Sequence, residues 1–536
     1  MSYRFIPPEG RDSQTLHQVL ARRAASRGEA PWIVGEERSW TYRDIDSMSD
    51  CVANGFAALG IAGGDTVLVM LPDCVEFIVT WCGLAKLGAV QVPVNTHLRG
   101  NVLTHVIEDS RARTMMVHAQ FLDRIADVAL GRVESLVVLG EMPDDWPDAL
   151  VHLECSPFGA LFEAPDTPLN DGPAATDLVA VLYTSGTTGP SKGVMITHIQ
   201  AYEYARSVVE LLDLVPDDVY YAPLPLFHIA GQWGVAYAAC LAGAQAVLPR
   251  PFSAGAYWHD VRRHGATATF LLGAMANFLF QQHETDDDAD NPIERALVVP
   301  LLPEIEEFKR RFGCLVSTTW GATEFNVPTR STFELANNRT CGRVAEDRYE
   351  VRIVDELDRE VPPGVPGEAV VRPREPWITM AGYWGHPDWT ATAWRNLWLH
   401  TGDMLMRDEE GNLYFVDRTK DAIRRRGENI SSMEVEQEIV AHPDVVECAV
   451  IPVASEHTEQ EVMAVVVPRP GGAIDPAEFI EFLAPRMAYF MVPRYVEVVG
   501  ALPKTQTGKI RKYALRERGI TPGTWDREAA GIRLRR

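Results

Sequence analysis

The amino-acid sequence predicts an α/β protein in which a large amino-terminal domain of mixed sheets flanked by helices precedes a small α+β domain. With 536 residues the chain is too long for one hydrophobic core, so two or more domains are expected. Up to residue 350, short apolar runs alternate with amphipathic stretches, which is typical of βαβ units. Beyond residue 350 the apolar runs are short and lie around Pro/Gly turns.

The alternation is clearest near the start of the chain. Residues 65–71 (DTVLVML) predict a strand, residues 75–87 a helix, and residues 88–94 (GAVQVPV) the next strand. Further strands are predicted at 178–183, 244–248 and 268–272. Such alternation predicts mixed or parallel sheets with helices on both faces.

The second part of the chain has a different texture. Short strands are predicted at 351–354 and 368–372, around the turn VPPGVPG, and another at 413–416. The polar run DRTKDAIRRRGEN at 417–429 follows, and we place the domain boundary there. Beyond it the predicted elements are a helix at 432–441, strands at 446–453 and 462–467, and a helix at 476–486.

Composition excludes several classes of protein. The net charge of −24 argues against nonspecific nucleic-acid binding, although a locally basic cleft for a polyanion remains open. The first residues, MSYRFIPPEGRDSQTL, lack the pattern of a signal peptide, and the apolar stretch 67–94 is interrupted by charges. The eight cysteines are scattered singly. We therefore expect a cytoplasmic protein with reduced, buried thiols and no membrane span.

The segment YTSGTTGPSKGV at 183–194 concentrates glycines, hydroxyls and one lysine directly after a predicted strand. Glycines let backbone N–H groups converge, hydroxyls add donors, and Lys192 adds a positive charge. These features favour a phosphate-binding loop. A solvent-exposed flexible loop is the alternative, since the segment matches neither the Walker nor the dinucleotide-binding pattern.

This segment resembles the phosphate loop of the adenylate-forming superfamily, which contains acyl-CoA synthetases, luciferases and nonribosomal adenylation domains. Five further segments resemble that family's motifs, in its order and spacing: LPLFHIAG (224–231), WGATE (320–324), LHTGD (399–403), DRTKDAIRRRGENISSMEVE (417–436) and PKTQTGKIRK (503–512). The texture of residues 76–95 and 415–436 is similar to the crotonobetaine/carnitine–CoA ligase branch. Agreement of six motifs in order and spacing is too specific to arise by chance.

The resemblance implies a division into an amino-terminal AMP-binding domain at 1–416, a hinge at 417–422 and a mobile carboxyl-terminal domain at 423–536. It also implies activation of a carboxylic acid with ATP and Mg²⁺, and transfer to CoA. The β- and γ-phosphates would be held by Thr184, Ser185, Gly186, Thr187, Thr188, Gly189 and Lys192. Thr323 would bind the α-phosphate, and Glu324 would bind Mg²⁺.

Other motif residues acquire roles by the same resemblance. Asp403 and Arg418 would bind the ribose, and Lys509 would bridge the substrate carboxylate and the α-phosphate. His228 would lie beside the acyl pocket and the thiol tunnel. Trp320 replaces the more usual tyrosine and would flank the adenine or the acyl group.

The carboxyl-terminal motifs imply a domain rotation between two half-reactions. Lys420 would be the hinge residue, and Gly427 would flank the pantetheine tunnel after rotation. Arg426 stands where related sequences often have glycine, and the basic run Arg424–Arg426 is either a CoA-phosphate contact or a solvated face. The segment VVPLLPE at 298–304 lacks the glycines of the family's adenine loop, so its adenine contacts stay open.

Three functions follow as hypotheses. The first is an AMP-forming acyl-CoA ligase for a small or aromatic acid. The second is a secondary-metabolism enzyme that transfers the activated group to an amine or carrier protein, including a nitrite-using diazotase. The third, an adenylate sensor, is disfavoured because Lys509 and Glu324 are kept. A homodimer stays open. The predicted pocket lining is His228, Gly231, Gln232, Trp233, Leu271, Gly273, Met275, Val299, Thr319, Trp320 and Gly321.

Overall fold

The structure is a computed structural model. It describes residues 10–143, 145–169, 172–184, 190–248, 250–418, 422–426, 428–455, 459–469, 471–503, 510 and 512–534. Most of the described chain belongs to a large amino-terminal part built on three sheets, and the remainder forms a smaller carboxyl-terminal part.

The first sheet has eight strands, of which the central ones are parallel and the two at one edge are antiparallel. In spatial order its strands are Gly382–Tyr383, Lys192–Thr197, Leu178–Thr184, Val90–Pro93, Thr66–Met70, Thr114–His118, Ser135–Leu139 and Glu154–Pro157. The central strand Thr66–Met70 is buried along its whole length, which explains its unbroken apolar sequence.

The second sheet has seven strands and is parallel except at one edge. Its strands, in spatial order, are Leu315–Ser317, Arg295–Val299, Ala268–Leu272, Val219–Tyr221, Gln245–Val247, Pro31–Val34 and Ser39–Thr41. The third sheet is antiparallel and has six strands: Thr329–Arg330, Thr340–Val344, Asn412–Arg418, Leu399–Arg407, Gly367–Pro373 and Tyr349–Val354.

Helices cover these sheets. The α-helices of the amino-terminal part are Leu16–Arg27, Tyr42–Ala58, Val75–Leu87, Gly100–Ser110, Leu122–Ala126, His198–Leu212, Ile229–Gly231, Ala238–Ala242, Ala254–His264, Gly273–Phe280, Ile305–Phe312 and Pro387–Ala393, with a π-helical segment at Gln232–Tyr237. Short 3₁₀ turns lie at Arg11–Ser13, Ala119–Phe121, Asp148–Leu150, Phe158–Glu163 and Arg395–Leu397. Helix Val75–Leu87 is buried almost all round, as its continuous apolar sequence requires.

The carboxyl-terminal part has its own small core. Its strands are Ala422–Arg425, Glu428–Ser431, Val445–Ala454, Gln460–Pro468, Tyr495–Val498 and Trp525–Asp526, and its helices are Ser432–Val440, Pro476–Leu483 and Lys512–Arg518. The apolar side chains between them form two clusters, and the larger one also includes Val102 of the amino-terminal part. The two parts therefore pack against each other through apolar as well as polar side chains.

The predicted fold class is confirmed. The helix at 75–87 and the strand at 268–272 have the predicted bounds, and the other predicted elements differ by a few residues at their ends. One difference is larger: the polar run at 417–429 contains strand Ala422–Arg425, and Glu428–Ser431 pairs with it as a hairpin. Charged residues in a short two-stranded ribbon conceal the alternation that marks a strand.

Two other sequence expectations have structural outcomes. All eight cysteines are free and several are buried, but Cys155 is exposed, in contrast to the expected burial. In the described residues, we find no helix with the length and apolar character needed to span a membrane.

A buried ion-pair network ties the third sheet to helix His198–Leu212. The guanidinium of Arg348 donates to Glu203 and Glu210, and all three side chains are at most 6% exposed. Burial and these carboxylates act in opposite directions on the guanidinium, and the carboxylates raise the pKa of Arg348 above its ordinary value. Arg206 also lies 3.5 Å from Glu203 and 3.1 Å from Glu210, so the network holds two carboxylates with more than one guanidinium.

Candidate active site

The predicted motif residues gather around one large cavity between the two parts of the chain. Its volume is about 2040 Å³. Its walls include residues just beyond the carboxyl ends of parallel strands: Asp73 after Thr66–Met70, Asn95 after Val90–Pro93, and Thr319 after Leu315–Ser317. Ligand sites in open α/β sheets lie at this edge.

The two antiparallel strands that flank the Gly/Thr segment reach the cavity wall. Thr184 and Lys192 pair across these strands, and both line the cavity. The Lys192 ammonium lies over the rings of Tyr383, at 4.8 Å, and Trp389, at 5.4 Å. Lys192 therefore packs on an aromatic part of the cavity wall, and Glu324 lines the same cavity.

Glu324 lies at the centre of a small hydroxyl cluster. Its Oε1 atom accepts hydrogen bonds from the hydroxyls of Thr184 and Tyr383, each at 3.3 Å. Burial and this carboxylate raise the pKa of Tyr383 above its usual value, so its hydroxyl stays a donor. No cluster of three His, Cys, Asp or Glu side chains that could hold a metal occurs in the described part of the chain. One cavity-facing carboxylate suits Mg²⁺, which usually takes one or two carboxylates together with substrate phosphates.

The WGATE segment forms a tight turn that aims Thr323 and Glu324 at the cavity. The Ala322 N–H donates to the carbonyl of Asn326 at 3.1 Å. Only glycine fits at position 321, because a Cβ atom there would lie 2.1 Å from that carbonyl oxygen. The glycine of this motif thus has a packing reason beyond backbone freedom.

Asp403 lies on strand Leu399–Arg407 and faces the cavity. Its Oδ2 atom accepts a hydrogen bond of 2.9 Å from the indole N–H of Trp320, and both residues are 5% exposed. The backbone of Arg418 pairs with that of Asp403 in the third sheet. Trp320 itself does not line the cavity walls formed by the described residues. The expected position against adenine or the acyl group therefore differs from the observed one behind Asp403.

His228 lies between two carboxylates. Its Nε2 atom is 3.1 Å from Oε2 of Glu428, which the carboxyl-terminal hairpin brings into the cavity. Burial lowers the pKa of His228, but Glu428 and Asp73 outweigh that effect and raise it. Asp73 accepts a 2.6 Å hydrogen bond from the backbone N–H of Leu226, and burial raises the pKa of Asp73 to about 6. Three groups that can exchange protons thus meet at this end of the cavity.

The carboxyl-terminal part docks on the amino-terminal part through specific contacts. The hydroxyl of Ser191, next to Lys192, donates to Oε1 of Glu434 at 2.5 Å. The amide of Asn101 donates to Oε1 of Glu438 at 2.7 Å. These bonds hold helix Ser432–Val440 against helix Gly100–Ser110 and the residue that precedes strand Lys192–Thr197.

Positive charge collects at the same interface. Arg124, Arg424 and Arg426 all line the cavity. Burial and the neighbouring Arg99 lower the pKa of Arg124 to about 10, which still leaves it charged at neutral pH. Arg426 is 40% exposed and has a left-handed φ of 52°, a conformation that favours glycine and accounts for glycine at this place in related sequences.

The apolar wall differs from the predicted pocket. His228, Met275, Val299, Thr319 and Gly321 line the cavity as expected. Among the described residues, the walls do not include Gly231, Gln232, Trp233, Leu271, Gly273 or Trp320. Trp233 is fully buried in the core, and the Gln232 amide donates to Gln91 instead. Aromatic bulk comes from Phe227, Phe252, Phe270 and Phe278.

Several predicted residues lie outside the described residues. They are Ser185, Gly186, Thr187, Thr188 and Gly189 of the phosphate loop, the hinge residue Lys420, Gly427 and Lys509. Their roles stay predictions. Of the segment 298–304, Val299 reaches the cavity wall.

The sequence analysis assigned no role to Asp73, Arg124, Tyr383 or Glu428. Asp73 carried a usable signal, because a polar residue just beyond a buried parallel strand lies at the functional edge of the sheet. Arg124 and Tyr383 carried none, since their positions depend on how distant segments pack.

The chain belongs to the AMP-binding enzyme family, a family of adenylate-forming enzymes. The family model for AMP-binding enzymes matches residues 20–384, and the model for their carboxyl-terminal domain matches residues 434–509. The chain is 33% identical to a crotonobetaine/carnitine–CoA ligase of Salmonella agona, over 94% of this chain and 99% of that protein. It is an ATP-dependent, AMP-forming ligase of the acyl-CoA synthetase type, a class that uses ATP, Mg²⁺ and CoA.

Solved structures show the same fold. The o-succinylbenzoate CoA synthetase of Bacillus subtilis, bound with a product analogue, matches with a TM-score of 0.81 at 24% identity, over 94% of this chain and 98% of that one. The amide bond synthetase of Marinactinospora thermotolerans matches with 0.80 at 25% identity, over 93% and 99%. ATP-bound MatB of Rhodopseudomonas palustris matches with 0.66 at 28% identity, over 94% and 98%.

Proposed function

We propose that the protein activates a small or aromatic carboxylic acid with ATP and transfers the acyl group to the thiol of CoA. The observation that carries this proposal is the single cavity that residues of both parts of the chain line together. At about 2040 Å³ it exceeds the roughly 300–1,000 Å³ of a pocket for one small ligand. That volume can hold a nucleotide, an acid and the arm of an acceptor together.

The placement of the carboxyl-terminal part supports an arrangement for the second half-reaction. The product-analogue complex and ATP-bound MatB each match over 94% of this chain, yet their TM-scores are 0.81 and 0.66. MatB has the higher sequence identity, so sequence divergence does not explain its lower score. We infer that the two parts are placed as in the complex with the product analogue.

In the first half-reaction, ATP supplies the activating group: the substrate carboxylate attacks its α-phosphorus, pyrophosphate leaves, and an acyl-adenylate results. Every reactant is anionic, so the site needs donors and positive charge. Lys192 and the hydroxyls of Thr184 and Thr323 face the cavity for that purpose. Glu324 would hold Mg²⁺, and Asp403 would accept hydrogen bonds from the ribose hydroxyls.

In the second half-reaction, a thiol attacks the acyl carbonyl and AMP leaves. The thiol must lose its proton, and the His228 imidazole, which can accept one, contacts Glu428 of the hairpin that docks on the cavity. Glu428 favours the protonated imidazole, so it would stabilise His228 after proton transfer. Arg124, Arg424 and Arg426 would offer positive charge to the phosphates of CoA, in a protein whose net charge is −24.

The wall formed by Phe227, Phe270, Phe278 and Met275 supports a compact or aromatic acid. An amine acceptor is the second candidate, and the similarity to an amide bond synthetase favours it. The same phosphate residues would serve either acceptor, so they do not distinguish the two.

The test is pyrophosphate release with Mg²⁺ and ATP across a panel of short, aromatic and betaine-type acids and nitrite, each with CoA, with a primary amine, or alone. We expect one class of acid to release pyrophosphate and CoA to accelerate turnover to a thioester. If an amine accelerates turnover and CoA does not, the acceptor is an amine and not CoA. If nitrite is the only compound of the panel that gives pyrophosphate release, the activated substrate is nitrite and not a carboxylic acid.

A Glu324→Gln variant, which keeps the shape of the side chain but removes the charge, controls for contaminating phosphatases. Its release should fall by about 100-fold, because the Mg²⁺ ligand would be lost. Unchanged release would trace the signal to another enzyme.

A further inference from the structure

Trp320 contacts the carboxylate that faces the nucleotide side of the cavity, although the two residues come from distant segments. The indole Nε1–H donates to Oδ2 of Asp403 at 2.9 Å, and each residue is only 5% exposed. Asp403 reaches the cavity wall, whereas Trp320 is not part of the wall that the described residues form. The indole therefore approaches the carboxylate from behind.

The indole is itself held firmly. The backbone N–H of Trp320 donates to the hydroxyl of Thr329 at 2.8 Å, and that hydroxyl donates onward to the carbonyl of Cys341 at 2.6 Å. The Trp320 ring packs against the ring of Phe325 with centroids 4.8 Å apart. These contacts leave the indole little freedom to turn.

The carboxylate needs such support. The terminal torsion of an aspartate is broad, so packing alone does not select one orientation of its two oxygens. A donor fixed on Oδ2 sets the plane of the group. An indole N–H only donates, so it cannot itself accept a hydrogen bond from a ribose hydroxyl and compete with Asp403.

We propose that Trp320 is a positioning residue for nucleotide recognition, which aims the Asp403 carboxylate at the ribose diol. This inference rests on the proposed function, because it takes Asp403 to be the ribose contact. Loss of the indole donor would remove the constraint that it places on Oδ2 of Asp403, and the hydrogen bonds to the 2′- and 3′-hydroxyls would weaken. Contacts to the phosphates would be unaffected.

The experiment compares two nucleotides by calorimetric binding, with Mg²⁺ present and no acid added. ATP has both hydroxyls, and 2′,3′-dideoxy-ATP has neither. In Trp320→Phe the affinity for ATP should fall by about tenfold, the effect expected from weakening hydrogen bonds to a charged acceptor. The affinity for 2′,3′-dideoxy-ATP should stay the same. A general loss of packing would weaken both nucleotides equally and would overturn the proposal.

Trp32→Phe is the matched control. Trp32 is also fully buried, and its Nε1–H donates to the Ala236 carbonyl at 3.1 Å, away from the cavity. It should leave the ratio of the two affinities unchanged. Trp320→Met, which also lacks a side-chain donor, serves if Trp320→Phe does not fold, and the same fall in the ratio is expected.

Asp403→Ala separates this inference from the function on which it rests. If Asp403→Ala removes the preference for ATP while the folded Trp320 variant keeps it, the role of Trp320 is refuted and the ribose site stands. If Asp403→Ala also keeps the preference, the assignment of the ribose site is itself wrong.

Discussion

Replacement of Gly321 by alanine tests the geometry of the turn that carries Thr323 and Glu324. The new Cβ atom would lie 2.1 Å from the Asn326 carbonyl oxygen, whereas Cβ contacts essentially never fall below 3.0 Å. One side must therefore move by about 0.9 Å. Asn326 cannot easily move, because its buried side-chain amide donates to the carbonyls of Gln200, at 2.9 Å, and Ile378, at 3.0 Å.

The displacement therefore falls on the segment that carries Thr323 and Glu324, the residues we propose as the α-phosphate and Mg²⁺ contacts. A shift of 1 Å in a reacting group costs roughly 100-fold in rate, so Gly321→Ala should lower kcat/KM for adenylate formation by about that factor. Overpacking should also lower the free energy of unfolding by about 1–3 kcal/mol. The assay is exchange of labelled pyrophosphate into ATP with the acid that the panel identifies, together with urea unfolding.

Gly159→Ala is the matched control, because a Cβ atom at Gly159 would meet nothing within 4 Å. It should keep wild-type exchange. If Gly321→Ala retains more than half of the wild-type exchange rate with an unchanged KM for ATP, the tight turn does not position the site, and the reasoning fails.

Three further predictions concern charge. The pKa of Asp73 is about 6 in the folded protein, above its ordinary value of 3.8, so the folded state binds the extra proton between these pH values and loses stability as the pH rises through them. Asp73→Asn should remove this loss and raise the free energy of unfolding by about 2–3 kcal/mol at pH 7, measured by urea unfolding. Equal pH profiles of the two proteins would contradict this. Glu428→Gln should lower the pKa of His228 and slow single-turnover thioester formation about fivefold, which is the difference between a charged and a neutral hydrogen bond. Pyrophosphate exchange should stay normal. Equal loss of both steps would refute the role of the His228–Glu428 pair in the second half-reaction. Arg348→Met should lower the free energy of unfolding by about 1.5–3 kcal/mol, because two buried carboxylates lose their charged hydrogen bonds to Arg348 and keep only weaker or more distant cations such as Arg206. A second change of Glu203 to Gln should recover part of that loss in the same measurement. Full stability of the single variant would show that the network is dispensable.

The sequence alone determined the fold class and most of the phosphate and ribose motifs. Helix Val75–Leu87 was predictable because its apolar residues are local and continuous. Segments such as WGATE and LHTGD were recognisable because their chemistry requires particular residues at fixed spacing. Motif order carried the family assignment, and the family models confirm it.

Only the tertiary structure decided which side chains meet. The sequence predicted that Trp320 lines the pocket, but its indole N–H donates to Asp403 of the third sheet, and the ring lies behind that carboxylate. Asp73, Glu428 and His228 come from three segments that no local pattern connects. Burial raises the pKa of Asp73, and Glu428 and Asp73 raise the pKa of His228, only after folding brings these groups together. Local periodicity reports the environment of a segment. The chemistry of this site arises from contacts between segments far apart in the chain, which depend on how the sheets and the carboxyl-terminal part pack.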